Sequence, residues 1–167
     1  MQIPTVVPQG DVRLLDSDVA RRLLASTELA RLAYVAADDT PRVMPMLFHW
    51  TGEELVMSTF AGASKIAALR ARPDVAITID TPSMPPEVLL LRGRVTVTDV
   101  EGIVPEYALA QRRYGGEEQA AANLAEVDHP GTRMARIALR PSWVGVIDFQ
   151  TRFPGGTGAE EFQRRGR

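Results

Sequence analysis

Residues 29–60 read LARLAYVAADDTPRVMPMLFHWTGEELVMSTF. Leu29 to Ala37 alternates loosely between apolar and polar side chains, as a half-buried strand does. Asp38-Asp39-Thr40-Pro41 has the composition of a turn. Arg42 to Trp50 resumes as strand, Thr51-Gly52-Glu53 turns again, and Leu55 to Phe60 is a third strand. Three strands joined by tight turns predict an antiparallel meander.

Downstream, Ala61-Gly62-Ala63 leads into a short amphipathic helix opening at Ser64-Lys65, carrying Ile66 and Leu69, and stopped by Pro73. Val75 to Thr81 reads as a strand, and Pro82, Pro85 and Pro86 mark a loop. Glu87 to Val100 is one long strand, or two broken at Gly93. Glu101 to Glu126 is rich in alanine and glutamate and mostly helical, with an interruption at Gly115-Gly116. Thr132 to Arg140 and Trp143 to Phe149 are the last strands, separated by Pro141. Upstream, Asp16 or Ser17 caps a helix that begins at Asp18, carries Val19, Leu23 and Leu24 inward, and ends near Ser26 or Thr27.

About seven strands, mostly sequential, favour a closed or nearly closed antiparallel barrel, which removes sheet edges. The βαβα rhythm of a parallel sheet is missing. The expected organisation is a lead-in over residues 1–15, a single cofactor-binding domain over 16–153, and a polar, glycine-rich, disordered tail over 154–167.

The 167 residues suit one well-buried domain. A net charge of −2 argues against a nucleic-acid partner. With no cysteine and two histidines, His49 and His129, thiol chemistry and a three-histidine metal site within one chain are excluded, and no metal site is expected. No apolar run approaches the about 18 residues of a membrane helix, and the N-terminus lacks a secretory pattern. A cytoplasmic protein without a membrane partner is expected. Among 19 basic residues Lys65 is the only lysine. That bias fits a GC-rich genome, and under such pressure a retained lysine invites a functional reading.

Ser58-Thr59-Phe60-Ala61-Gly62-Ala63-Ser64-Lys65 carries the chemistry. A helix's first turn has free N–H groups and the positive end of the macrodipole, so an anion placed there meets donors already aimed at it. Ser64 adds a hydroxyl and Lys65 a full charge. The simpler alternative is an N-cap serine followed by a solvated lysine. On the preceding strand, Pro45 interrupts Val43-Met44-Pro45-Met46 and cannot donate to a ladder, so one side of that strand is an edge or faces something other than a strand. A planar heterocycle is one such partner, and an ordinary edge or bulge is the other explanation.

Taken in order, Arg42-Val43-Met44-Pro45-Met46, Ser58-Thr59, Ser64-Lys65 with Leu69, Arg72-Pro73-Asp74-Val75 and Gly93-Arg94-Val95 resemble the pyridoxamine 5′-phosphate oxidase-like flavin-binding split barrels over roughly Ser17 to Phe149. The resemblance implies a mainly β fold with some α: a homodimeric, antiparallel six-stranded split barrel with short flanking helices and cofactors at the dimer interface. It implies that Arg42 to Met46 run beside the ring system and that Ser58, Thr59, Ser64 and Lys65 contact phosphate. Trp143 would close the site from the partner chain, or serve as a plain core or interface aromatic. The motif with its one lysine is similar to members using FMN and to relatives using the deazaflavin F-420. The implied activity is an oxidoreductase passing a hydride to or from a small organic substrate; the alternative is a non-catalytic cofactor- or haem-binding split barrel. No catalytic residue is assigned.

Other candidates have plainer readings. His49 could polarise a carbonyl or ligate haem, although a turn histidine is the simpler expectation, and His129 is expected to be solvated. Asp148 could face a cofactor, although an ion pair with an arginine is the simpler expectation. Arg112-Arg113-Tyr114 reads as a charged helical face more readily than as a lid over an anionic substrate. Tyr107 and Tyr114 are expected to pack.

Overall fold

The computed structural model describes residues 7–154. The first part of the expected lead-in and the polar tail after Pro154 lie outside the described residues.

A 3-10 turn, Val12–Asp16, leads into α1, Asp18–Ala25, whose cap is Ser17; its hydroxyl accepts from the Ala20 amide. The chain then forms β1 (Ala30–Val35), β2 (Pro41–Met46), β3 (His49–Trp50) and β4 (Leu55–Phe60). After α2 (Ser64–Ala71) come β5 (Asp74–Asp80) and the long β6 (Val88–Glu101). The helix α3 (Pro105–Val127) precedes β7 (Arg133–Leu139) and β8 (Trp143–Ile147). Gly116 departs from helical geometry at φ 79°, so α3 kinks at the expected Gly115-Gly116 step.

All eight strands share one antiparallel sheet, in the order β2-β1-β5-β6-β7-β4-β3 with β8 on β6. The expected meander is corrected here. β1–β2 and β3–β4 are hairpins, but β2 and β3 lie at opposite ends of the order. The single strand expected over Arg42–Trp50 breaks at Leu47-Phe48, where Phe48 drops fully into the core. The sheet rolls up, and its two ends meet at that link. β7 and β8 likewise follow one edge of β6 in succession, opposite Val95–Glu101 and then Val88–Arg92. Joining each broken pair gives the six strands of a split barrel. Gly93 sits where β6 passes from β8 to β7, and an added Cβ there would lie 2.9 Å from Leu139 Cδ1 and 3.2 Å from the Arg140 carbonyl. The strand stays continuous there, with only its partner changing.

Alternation fills the barrel. Val75, Ile77 and Ile79 on β5, Leu89 and Leu91 on β6, and Ile137 and Leu139 on β7 meet Leu23 and Leu24 of α1 in one core. The described part of the lead-in packs on β8. Gly10 N–H donates to the Val144 carbonyl, and the Gln9 side-chain amide both donates to and accepts from the Val146 backbone at 2.6 and 2.8 Å. On the outer face of β7, Arg136 joins Glu106 of α3 (2.7 Å) to Glu54 (3.1 Å).

Candidate functional site

The β1–β2 hairpin turn and the start of α2 enclose a cleft of about 310 Å³ lined by Tyr34, Asp38, Arg42, Ser64, Lys65 and small alanines. Three of the expected site residues, Arg42, Ser64 and Lys65, therefore meet in one place. The cap of α2 is Ala63 rather than Ser64, and no side chain caps the helix. Ile66 N–H bonds back to the Ala63 carbonyl, while the amides of Ser64 and Lys65 have no backbone acceptor among the described residues. The simpler expectation of Ser64 as the N-cap is corrected. Its hydroxyl is free of that role, because the chain enters the helix one residue earlier.

Asp38 and Arg42 are spoken for. The Thr40 hydroxyl (2.6 Å) and Thr40 amide (3.1 Å) donate to the Asp38 carboxylate, and Arg42 pairs with it at 2.9 Å. Those contacts, with Thr40 foremost, hold the Asp38 carboxyl down at about 2, so it is fully ionised at neutral pH. Its charge and that of Arg42 cancel. Lys65 has no carboxylate partner among the described residues and leaves the cleft one uncompensated cation.

The rest of the β2 motif lies along the sheet's end. β2 pairs only with β1, Pro45 facing Arg31, so its other edge has no strand partner among the described residues. Val43 is 66% and Met44 41% exposed; Pro45 is exposed and Met46 half-buried. Ser58 and Thr59 sit near the end of β4, just before the turn into α2, and do not line the cleft. The Ser58 hydroxyl is buried without a hydrogen-bond partner.

Within one chain Trp143 lies elsewhere. Its ring covers Gly10 and Gly145 and stacks under the Arg92 guanidinium at 3.9 Å.

Tyr34 and Asp38 are cleft residues that sequence reasoning passed over. The Asp38-Asp39-Thr40-Pro41 signal was legible as a turn, but not as a turn abutting α2. Arg113 was also misjudged. It does not lie on a solvated face but points inward, Nε donating to the Ser26 carbonyl (2.9 Å) and Nη2 to the Phe48 carbonyl. Tyr114 packs edge-on to Phe48 and donates to the Glu28 carbonyl at 2.7 Å, as a packing residue. Asp148 pairs with no arginine side chain among the described residues: it accepts from the amides of Gln150, Thr151 and Arg152 and from the Thr151 hydroxyl. His49 is half-buried on β3, and burial, followed by the Arg113 charge, pushes its pKa down. His129 lies exposed in its loop, as expected. No cluster of metal-ligating side chains occurs among the described residues, and no helix among them is long and apolar enough to cross a membrane.

The arrangement fits a phosphorylated ring cofactor on three observations. Among the described residues two first-turn amides lack acceptors and one lysine lacks a carboxylate partner, and an apolar strand edge runs away from them. A family model described as pyridoxamine 5′-phosphate oxidase matches residues 17–146. Among solved structures, an F-420 reductase is 29% identical over 74% of this chain and 93% of its own, with a TM-score of 0.57. A haem-binding protein of Mycobacterium smegmatis is 21% identical over 84% of this chain and 54% of its own, with a TM-score of 0.56. A pyridoxamine 5′-phosphate oxidase-related, FMN-binding protein of Nostoc punctiforme is 15% identical over 74% of this chain and 75% of its own, with a TM-score of 0.53. The last two share the fold. No curated protein sequence matches the chain.

Proposed function

Because this chain belongs to the pyridoxamine 5′-phosphate oxidase family, we propose that it is a homodimeric, cytoplasmic oxidoreductase using FMN or the deazaflavin F-420 on a small organic substrate. The observation that carries this reading is the first turn of α2, with its unpartnered amides and its lysine without a carboxylate. Ser64 and Lys65 hold the cofactor phosphate there, and Ser58 and Thr59, which lie on β4 outside the cleft of the single chain, are the further phosphate contacts of this reading. Arg42 to Met46 lie along the ring system, and Trp143 closes the site from the partner chain.

The cofactor, when bound, supplies the hydride chemistry. The protein's own residues bind and orient. Lys65 and the helix dipole neutralise phosphate charge, and Arg42 is fixed by Asp38 and Thr40 so that its stem borders the ring rather than swinging free. Val43 and Met44, on alternate faces of the β2 edge, exclude water there once the partner chain docks on them.

A second reading, a carrier that binds the cofactor without turnover, is favoured by one specific feature. Asp38, the only carboxylate lining the cleft among the described residues, is held near 2 and offers no proton at neutral pH. The FMN-binding and F-420-related neighbours support both cofactors as candidates, and the identity level of the F-420 reductase favours testing F-420 first.

Titration of the purified protein with each cofactor is the test. Binding in the micromolar range, about −8 kcal/mol at 1 μM, is expected for one of the two. Absence of binding by both refutes the proposal. Binding without turnover against a panel of activated alkenes, quinones and nitroaromatics selects the carrier.

A further inference from the structure

A second cleft, of about 630 Å³, opens among the 3-10 turn, α1, β3 and α3, and shares no lining residue with the first. Leu15, Leu24 and the Trp50 indole give it an apolar wall. Its charges cancel in pairs with one exception. Arg13 is held by Asp11 at 2.6 Å and Arg21 by Asp16 at 3.4 Å. Arg113 has no carboxylate partner among the described residues.

The two carbonyls that bind Arg113 satisfy donors without neutralising charge. They also hold its guanidinium over the Phe48 and Tyr114 rings, 4.8 and 4.9 Å from the centroids. A cation fixed this way loses little freedom when a ligand arrives, which is the condition for productive pre-organisation. Beside it, burial and the Arg113 charge favour neutral His49, against a smaller opposing pull from Glu106. The result is one fixed positive charge at the side of an apolar, aromatic-walled cleft. Its size lies within the about 300–1,000 Å³ range of small-molecule sites.

We propose that this cleft binds a small organic anion with an apolar or aromatic body, its carboxylate or sulfonate at Arg113 and its body along Trp50 and Leu15. The site is separate from the cofactor cleft and does not depend on the reading given for it.

Naphthoate and its neutral isostere naphthamide are the probes, added without flavin and followed by the indole N–H resonances of the two tryptophans. Naphthoate should shift the Trp50 signal saturably and leave Trp143 in place. Naphthamide should bind at least about tenfold more weakly, the scale of one charge-assisted hydrogen bond. Arg113→Gln should weaken naphthoate by the same factor and leave naphthamide unchanged, a split that partial unfolding would not produce. Ala25→Phe places a ring at the cleft from an exposed position, keeps Arg113, and should weaken both probes. Should Arg113→Gln fail to fold, Ala25→Phe and the acid–amide comparison decide the matter. Lys65→Ala should have no effect. Equal affinity for acid and amide, an unmoved Trp50 signal, or loss of naphthoate binding in Lys65→Ala overturns the proposal. Because no flavin is present, such a failure leaves the cofactor titrations untouched.

Discussion

Lys65 occupies the second position of α2, where the helix dipole and two acceptor-free amides already favour negative charge. Lys65→Ala is expected to weaken binding of whichever cofactor is taken up by about 1.5–3 kcal/mol, the range for a hydrogen bond to a charged group, measured by calorimetry. An unchanged dissociation constant rules out its role. Asp148 supports a pH prediction. Its partial burial pushes the carboxyl up, but hydrogen bonds from Thr151, Arg152 and Gln150 outweigh that and bring it from 3.8 to about 2. The folded state therefore takes up this proton later than the unfolded chain. The stabilisation is complete above the ordinary value and is lost as pH falls through about 2. Urea midpoints at neutral and strongly acid pH should drop further for the native chain than for Asp148→Asn. Lys65 was legible in the sequence because a helix start is a local event. Arg113 was not: which way an α3 side chain faces depends on how the helix docks and where Gly116 kinks it.

At the level of elements, the outer edge of β8 is covered by an unusual device. The Gln9 side-chain amide bonds the Val146 N–H and carbonyl as a neighbouring strand's backbone would. Gln9→Ala leaves both groups without that partner and is expected to lower unfolding free energy by about 1–3 kcal/mol, the cost of an unsatisfied buried group. Hydrogen exchange at Val146 should accelerate, and unchanged protection would show that the edge is covered otherwise. The close approach of the β7–β8 link to β6 depends on Gly93. Gly93→Ala meets the Leu139 side chain and the Arg140 carbonyl, and is expected to destabilise by about 1–3 kcal/mol, the usual range for overpacking, as read by urea denaturation. Strand positions were readable here because β-period alternation is a local pattern. The breaks were not: Leu47-Phe48 continues the apolar run of β2, whereas in the fold Phe48 is buried and its carbonyl accepts from Arg113 where the chain passes to the opposite edge.

Across the whole molecule, an exposed apolar strip runs along the sheet's end through Val43 and Met44, with Phe60 also 56% exposed. Strips of this kind mark association surfaces. With the dimer as proposed, light scattering should report two chains per particle. Val43→Asp should yield monomers that also lose cofactor affinity, since the partner's Trp143 leaves with them; a dimer surviving this change places the interface elsewhere.

The sequence was sufficient for the mainly antiparallel fold, the start of α2, the kink in α3 and the pairing of Ser64 with Lys65. Each is encoded by residues a few positions apart, within reach of backbone sterics and local hydrogen bonding. Tertiary structure decided which strand becomes an edge, that Asp38 and Arg42 neutralise each other beside Lys65, and that Arg113 turns inward. The Asp38–Arg42 pair is itself local and exposed, four residues apart, and only its meeting with Lys65 of α2 is tertiary. The other two outcomes depend on groups far apart in the chain meeting in a low-dielectric interior. There, an unpaired charge or an unfilled volume costs more than any local preference can offset.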